Sequence, residues 1–200
     1  MNRLLSLLIL ALFTTAPCVS ANMKDIWLSM PDSIIPYLDK NLRLQFLDYE
    51  SLHVNTTVTN KLHGESKLDT LTSDFIRVQL SQSSSIEIKR LPYAAGDSIL
   101  CVIKTYGTDM KESQIAFYKQ QWDTLPIRTD FLHSHSATSN NSHTYANHAP
   151  IPQEATMIWL SLDVSSENLT IYQTDPIGKE KADNSTKQQR IVKWNLKTFN

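Results

Sequence analysis

The sequence predicts a single α+β domain, an N-terminal helical segment packed on an antiparallel β-meander. Three observations predict it. Apolar residues recur at three-to-four spacing between Ile34 and Leu42. From His53 onward the apolar period changes to two, broken by polar turn clusters. One run, Ile99-Leu100-Cys101-Val102-Ile103, is apolar on both faces and reads as a central strand. A period near 3.6 marks an amphipathic helix and a period of two marks a half-buried strand.

The chain opens with Met-Asn-Arg, an apolar run from Leu4 to Phe13, and small residues ending Val19-Ser20-Ala21. A charged start, a short apolar core and a small-residue site are the parts of a secretory signal. The apolar run is half the roughly 20 residues that a membrane-spanning helix needs. Cleavage is expected after Ala21, leaving residues 22–200 as one domain. The competing reading is a lipid anchor on Cys18. It has Pro17 where a lipid-acceptor cysteine takes Gly, Ala or Ser. The chain carries 19 Lys+Arg and 20 Asp+Glu, and losing Arg3 takes the net charge from −1 to −2.

Met30-Pro31-Asp32-Ser33 is expected to open the helical region, with Asp32 as N-cap. Ile34, Ile35, Leu38 and Leu42 form one apolar face, and Pro36 falls in the first turn, where a missing N–H is tolerated. The run from Leu42 to Tyr49 also reads as helix. One bent helix or two short ones are expected between residues 32 and 50.

Strands follow. Val54, Thr56, Val58 and Leu62 alternate with polar residues, and His63-Gly64-Glu65 is a turn signal. Ile76, Val78 and Leu80 alternate with Arg77 and Gln79, and Ile86 and Ile88 alternate with Glu87 and Lys89. Each strand so patterned has one apolar and one polar face. Ser81-Gln82-Ser83-Ser84 is the turn between these two strands. After Ile99–Ile103 and a turn near Gly107, Gln114–Lys119 is the next strand. Residues 129–150 are polar and without period, a long loop. Strands resume at Thr156–Leu162, Leu169–Tyr172 and Arg190–Phe199, with a polar, charged stretch from Asp175 to Gln189.

Composition excludes several functions. The chain has four glycines, Gly64, Gly96, Gly107 and Gly178, and none are close enough to cradle a phosphate as a glycine-rich loop. The near-neutral charge excludes a basic nucleic-acid binder. Cys101 is the single cysteine after Ala21, which leaves neither a disulfide frame nor a cysteine zinc site. Its aliphatic neighbours read as a buried inert thiol, since a nucleophilic cysteine needs an electropositive setting. No Gly-x-Ser-x-Gly, Ser-x-x-Lys or His-Glu-x-x-His stretch is present. His133, His135, His143 and His148 crowd the long loop at irregular spacing and read as solvated imidazoles rather than metal ligands. Trp27, Trp122, Trp159 and Trp194 read as packing residues; an exposed coplanar pair would instead suit a sugar ring. From Gly178 to the C-terminus, Lys179, Lys181, Lys187, Arg190, Lys193 and Lys197 stand against Glu180 and Asp183, the signature of a lysine-protected edge strand. Thus no catalytic, cofactor-binding or metal-ligating residue is assigned, and no cofactor is expected.

The order of several short motifs resembles one family. They are Met30-Pro31-Asp32-Ser33, Arg43-Leu44 with Leu47-Asp48-Tyr49, and Val58-Thr59-Asn60-Lys61-Leu62 with Gly64. Gln79-Leu80 with Ser83-Ser84, Trp122 before Leu125-Pro126, and Trp194 near Phe199 complete the set. Together they resemble domain of unknown function 3256, an uncharacterised family of exported Bacteroidales proteins. The resemblance implies a periplasmic or cell-surface location and carries over no functional residue. Asp32-Ser33-Ile34, Asp69-Thr70-Leu71, Asp97-Ser98-Ile99 and Asp123-Thr124-Leu125 resemble the O-glycan acceptor pattern of exported Bacteroidetes proteins, and are equally cap and turn chemistry. The expected function is a non-enzymatic binding or interaction module of the cell envelope with a protein or glycan partner. The alternative is a hydrolase or glycan-processing accessory whose site is assembled from residues distant in sequence.

Overall fold

A computed structural model describes residues 22–132, 157–173 and 188–200. The expected cleavage site, Cys18, the four loop histidines and the lysines at 179, 181 and 187 lie outside the described residues. The architecture is α+β in three layers. Helices α1 (Met23–Ser29) and α2 (Lys40–Ser51) cover one face of a six-stranded antiparallel sheet. Its strands, in sheet order, are β1 (Thr57–Thr59), β2 (Glu65–Leu71), β3 (Phe75–Ser81), β4 (Ser84–Pro92), β5 (Ser98–Tyr106) and β6 (Glu112–Lys119). A three-stranded sheet covers the other face: β7 (Ile158–Leu162), β8 (Asn168–Gln173) and β9 (Gln188–Lys193).

The helical layer departs from the periodicity reading. Helix α1 was not marked by an apolar stripe; the Asn22 side chain caps it, accepting from the Asp25 amide at 2.9 Å, and Met23, Ile26 and Trp27 are buried. Residues 31–38 form consecutive turns, Ile34 N to Pro31 O and Leu38 N to Ile35 O, both 3.0 Å, instead of a helix. Pro31 and Pro36 donate no amide hydrogen, and Pro36 disfavours the helical region for Ile35. Helix α2 therefore starts at Lys40, capped by Asp39, whose carboxylate accepts from the Leu42 amide at 3.0 Å. Asp32 caps nothing. Its carboxylate takes a hydrogen bond from Arg43, a side chain 1% exposed that also donates to the carbonyls of Met30 and Leu38. Arg43 thus clasps the turn segment to α2. Ile35 and Leu38 are buried as expected, against Ile76, Val78, Ile86, Ile88, Leu100 and Val102 of the large sheet.

The meander is as expected from Ile76 to Lys119, with β5 paired on both sides by β4 and β6. Its start differs. Val54 and Leu62 are 52% and 70% exposed and belong to no strand; the edge strand β1 is three residues long, and β2 follows the His63–Gly64 turn. Alternating polarity cannot separate a strand from an irregular exposed segment where neither face is covered.

The second sheet explains the two-faced apolar run. Ile99, Cys101, Ile103 and Phe117 point away from the helices into a second core with Leu160, Leu162, Leu169, Ile171 and Val192. Trp194 and Phe199 close it, joined by an isolated bridge beyond β9, which ends at Lys193 rather than continuing to Phe199. The stretch expected as loop from 129 starts with structure: Asp130–Leu132 is a short 3-10 turn, and Phe131 is buried beside Phe199. Glu87 and Lys89, expected on an open polar face, are 6% and 1% exposed beneath this second layer.

Candidate functional site

Strand alternation places Arg77 and Glu87 on the face under the small sheet, and register sets them directly opposite each other. A buried carboxylate is tolerated when it is paired and hydrogen-bonded. Glu87 meets both conditions. It accepts from Arg77 Nε at 3.0 Å, Ser161 Oγ at 3.4 Å and the Leu162 amide at 2.7 Å. Burial nevertheless outweighs the Arg77 charge and pushes the Glu87 carboxyl above its usual range. Lys89, on the same face, donates to the Val164 carbonyl at 2.8 Å and lies 3.3 Å from the Asp74 carboxylate. The Phe75 ring takes both cations, with Arg77 Cζ 5.2 Å and Lys89 Nζ 5.8 Å from its centroid. These charges form a polar seam inside a sheet-to-sheet interface, with every carboxylate and ammonium already engaged.

Cys101 sits where the sequence placed it, fully buried between Lys89 and Phe117 in register. Burial, and secondarily the Glu87 charge, pushes its thiol well up, away from the thiolate that a nucleophile requires. On the helix side, Lys104 donates to the Ile34 carbonyl at 2.6 Å, and burial pulls its ammonium down. The structure does not bring Cys101 and Lys104 together, because they occupy opposite faces of β5.

Three of the four tryptophans pack as expected, Trp27 and Trp122 under the helices and Trp194 in the second core. Trp159 is half-buried and stacks on its cross-strand partner Tyr172, with centroids 3.7 Å apart and planes 4° from parallel. Lys111 Nζ lies 5.0 Å from the centroid of the same indole. With a ring at stacking distance on one face, the ammonium occupies the other. The pair is coplanar, as a sugar platform would be, but both indole faces are filled.

Open surface concavities lie at the ends of the sandwich. One, of about 560 Å³, runs between the β4–β5 and β7–β8 connections and mixes charges, with Lys89 and Arg90 beside Asp74, Asp97 and Glu167. Another, of about 280 Å³, is lined by Gln79, Ser84, Ser85, Thr105, Thr108 and Lys111 among others, with no carboxylate among the described residues. Among the described residues no group of three or more His, Cys, Asp or Glu is placed to hold a metal ion, and no helix is long and apolar enough to cross a membrane. Of the Asp-Ser/Thr triplets, Asp69–Leu71 lies within β2 and Asp97–Ile99 at the start of β5. Asp32–Ile34 lies in the turn segment, and Thr124 bridges Tyr118.

Sequence reasoning missed Arg77, Glu87 and Lys89 as interior groups. The signal was available: a hairpin turning at Gln82–Ser83 puts Arg77 opposite Glu87, and two opposite charges in register on one face suit burial as a pair.

Comparison with known proteins supports the same architecture. The model of a family described as a protein of unknown function (DUF3256) matches residues 15–199. A solved structure, a domain of an uncharacterized protein from Porphyromonas gingivalis W83, is similar with a TM-score of 0.68 at 20% identity, covering 91% of this chain and 98% of that one. At that identity the likeness is one of fold. No curated protein matches the chain.

Proposed function

From the premise that the chain belongs to the DUF3256 family of proteins of unknown function, we propose that residues 22–200 act as a non-enzymatic binding module of the cell envelope. On this reading the chain is exported through a signal peptide cleaved after Ala21, to the periplasm or the cell surface. The observation that carries the reading is the state of the buried ionisable groups. Glu87 and Lys89 have the burial that tunes catalytic groups, yet each is tied down by the opposing sheet. The raised carboxyl of Glu87 faces Arg77, Ser161 and a backbone amide rather than a cleft a substrate could enter. What stays accessible is open polar surface, suited to recognition.

The test has two arms. Intact-mass and fractionation analysis of the native protein should give a chain beginning at Asn22 in a soluble envelope fraction; a lipidated Cys18 overturns the export route. Purified residues 22–200 should leave ester, phosphate-ester and glycoside substrates unchanged. Turnover that is abolished by Glu87→Gln overturns the binding reading.

A further inference from the structure

We propose that the 280 Å³ cleft at the β3–β4 and β5–β6 turns binds a small oxyanion, phosphate or sulfate, free or carried as a monoester on a small molecule. The inference rests on the binding reading and names the ligand chemistry of one surface. Three features of the cleft point to it, beginning with its electrostatics.

The lining combines one cation with hydroxyl and amide groups and contains no carboxylate among the described residues. The 560 Å³ cleft at the opposite end of the strands, in contrast, sets three carboxylates beside its two cations. Lys111 makes no ion pair among the described residues and lies against the Trp159 ring. An ammonium resting on an aromatic face keeps its remaining hydrogens and its charge available for an anion. Hydroxyl donors and a lysine are the usual partners of phosphate oxygens.

The lining groups are also positioned rather than loose. Gln79, Ser85 and Thr105 stand in one row across β3, β4 and β5. The Gln79 amide is fixed by donating to the Ser81 and Ser84 carbonyls. Thr105 Oγ lies 2.7 Å from Ser113 Oγ, which in turn accepts from the Leu160 amide at 3.0 Å. The Leu160 amide and the Ser113 hydroxyl thus hold the Thr105 side chain in place at the edge of the cleft.

The loop that carries Thr108 and Lys111 is set by Gly107. Its φ is +99°, its amide donates to Ser83 O at 2.8 Å, and a Cβ there would come within 1.9 Å of the Met110 carbonyl oxygen. The two turns are therefore held at fixed separation by a residue that only glycine can replace. The volume of this open cleft, about 280 Å³, falls just below the range of drug-sized pockets, which suits an ion or a small monoester.

The experiment is a titration of residues 22–200 with inorganic phosphate, with sulfate and with a sugar monophosphate. Sodium chloride holds the ionic strength constant throughout. Amide NMR shifts of residues 82–85 and 105–111, together with tryptophan fluorescence, report binding. Saturable shifts confined to those residues are expected. Lys111→Gln, at a part-exposed position, should weaken them at least about tenfold, the loss typical of one charge-assisted hydrogen bond. Tighter binding of the sugar monophosphate assigns a carried oxyanion, and equal binding assigns the free ion. Shifts that do not saturate, or an affinity that Lys111→Gln leaves unchanged, overturn the proposal. Failure here leaves the binding-module reading standing, whereas cleavage of the monoester would overturn that reading and leave the oxyanion site intact.

Discussion

The Leu162 amide donates to Glu87 Oε2 at 2.7 Å, so a carboxylate from the centre of one sheet holds a strand of the other. The same carboxylate binds Arg77. Three chain segments separated by up to 85 positions in sequence thus meet on one side chain. The energetics of this junction set the first prediction.

Glu87→Ala should destabilise the domain by about 3 kcal/mol in urea unfolding. That is the low end for stripping one partner from a buried pair, because Arg77 stays partly solvated. The double variant Arg77→Met/Glu87→Leu should recover most of the loss, since apolar replacement of both partners removes the unpaired charge. A double variant no more stable than Glu87→Ala would mean that the seam is held by the Leu162 hydrogen bond alone.

Arg43→Met should cost at least about 3 kcal/mol, because it strands the Met30 and Leu38 carbonyls in the helical layer. Hydrogen exchange should quicken first at residues 30–39, which have turns but no helix of their own. Uniform loss of protection across the large sheet instead would show that the clasp is not local.

Acid should weaken the fold through Asp39 and Asp163. Hydrogen bonds from Lys61 and the Leu42 amide hold Asp39 below the usual carboxylate range, and bonds from Ser165 and Ser166 do the same for Asp163. A lowered folded pKa stabilises above the unfolded value and loses that contribution as pH falls through the folded one. Glu87 has the opposite sign: its raised folded pKa favours the fold at low pH, and that contribution is lost as pH rises through the raised value. The melting temperature of Asp39→Asn/Asp163→Asn should fall less between pH 5 and about pH 2 than that of the parent. Glu87→Gln should remove the opposite slope above the unfolded carboxyl value. Parallel curves for parent and variants would refute the assignment.

Cys101 should resist thiol reagents in the native protein and react only as urea unfolds it. Cys101→Ser should cost about 1–3 kcal/mol, the penalty for a hydroxyl without a partner among aliphatic groups. Fast native labelling would contradict its burial between the two layers.

Much of this fold was legible because the meander obeys local rules. Ile76, Val78, Leu80, Ile86 and Ile88 alternate cleanly, and the serine-rich turn between them fixes the register. Ile99–Ile103 reads from sequence as a central strand; that a strand apolar on both faces needs a cover on each is the signal for the second layer, which the helix-on-meander expectation lacks. The strands that form that layer, β7 to β9, were visible as segments, but nothing local says that they leave the meander and form their own sheet. The charges hid the site for the same reason: Glu87 looks solvent-facing in a strand read alone, and becomes interior once Leu162 lies above it. The helical start was misplaced because three-to-four spacing survives in a chain of turns, where Pro31 and Pro36 stop the helix that the spacing suggests. The 280 Å³ cleft depends on the Gln82–Ser83 and Gly107–Lys111 turns coming side by side, a contact that only the completed hairpins create.

Strand β7 ends its sheet, and an end strand normally offers a row of open amides to any extended chain that passes. Here two of those amides are occupied from within: Leu160 donates to Ser113 and Leu162 to Glu87. The side chains that join the layers therefore also close the template on which another molecule's strand would have to assemble. At this edge, protection against strand addition and cohesion between the two sheets depend on the same two hydrogen bonds, so a substitution that loosens one exposes the other.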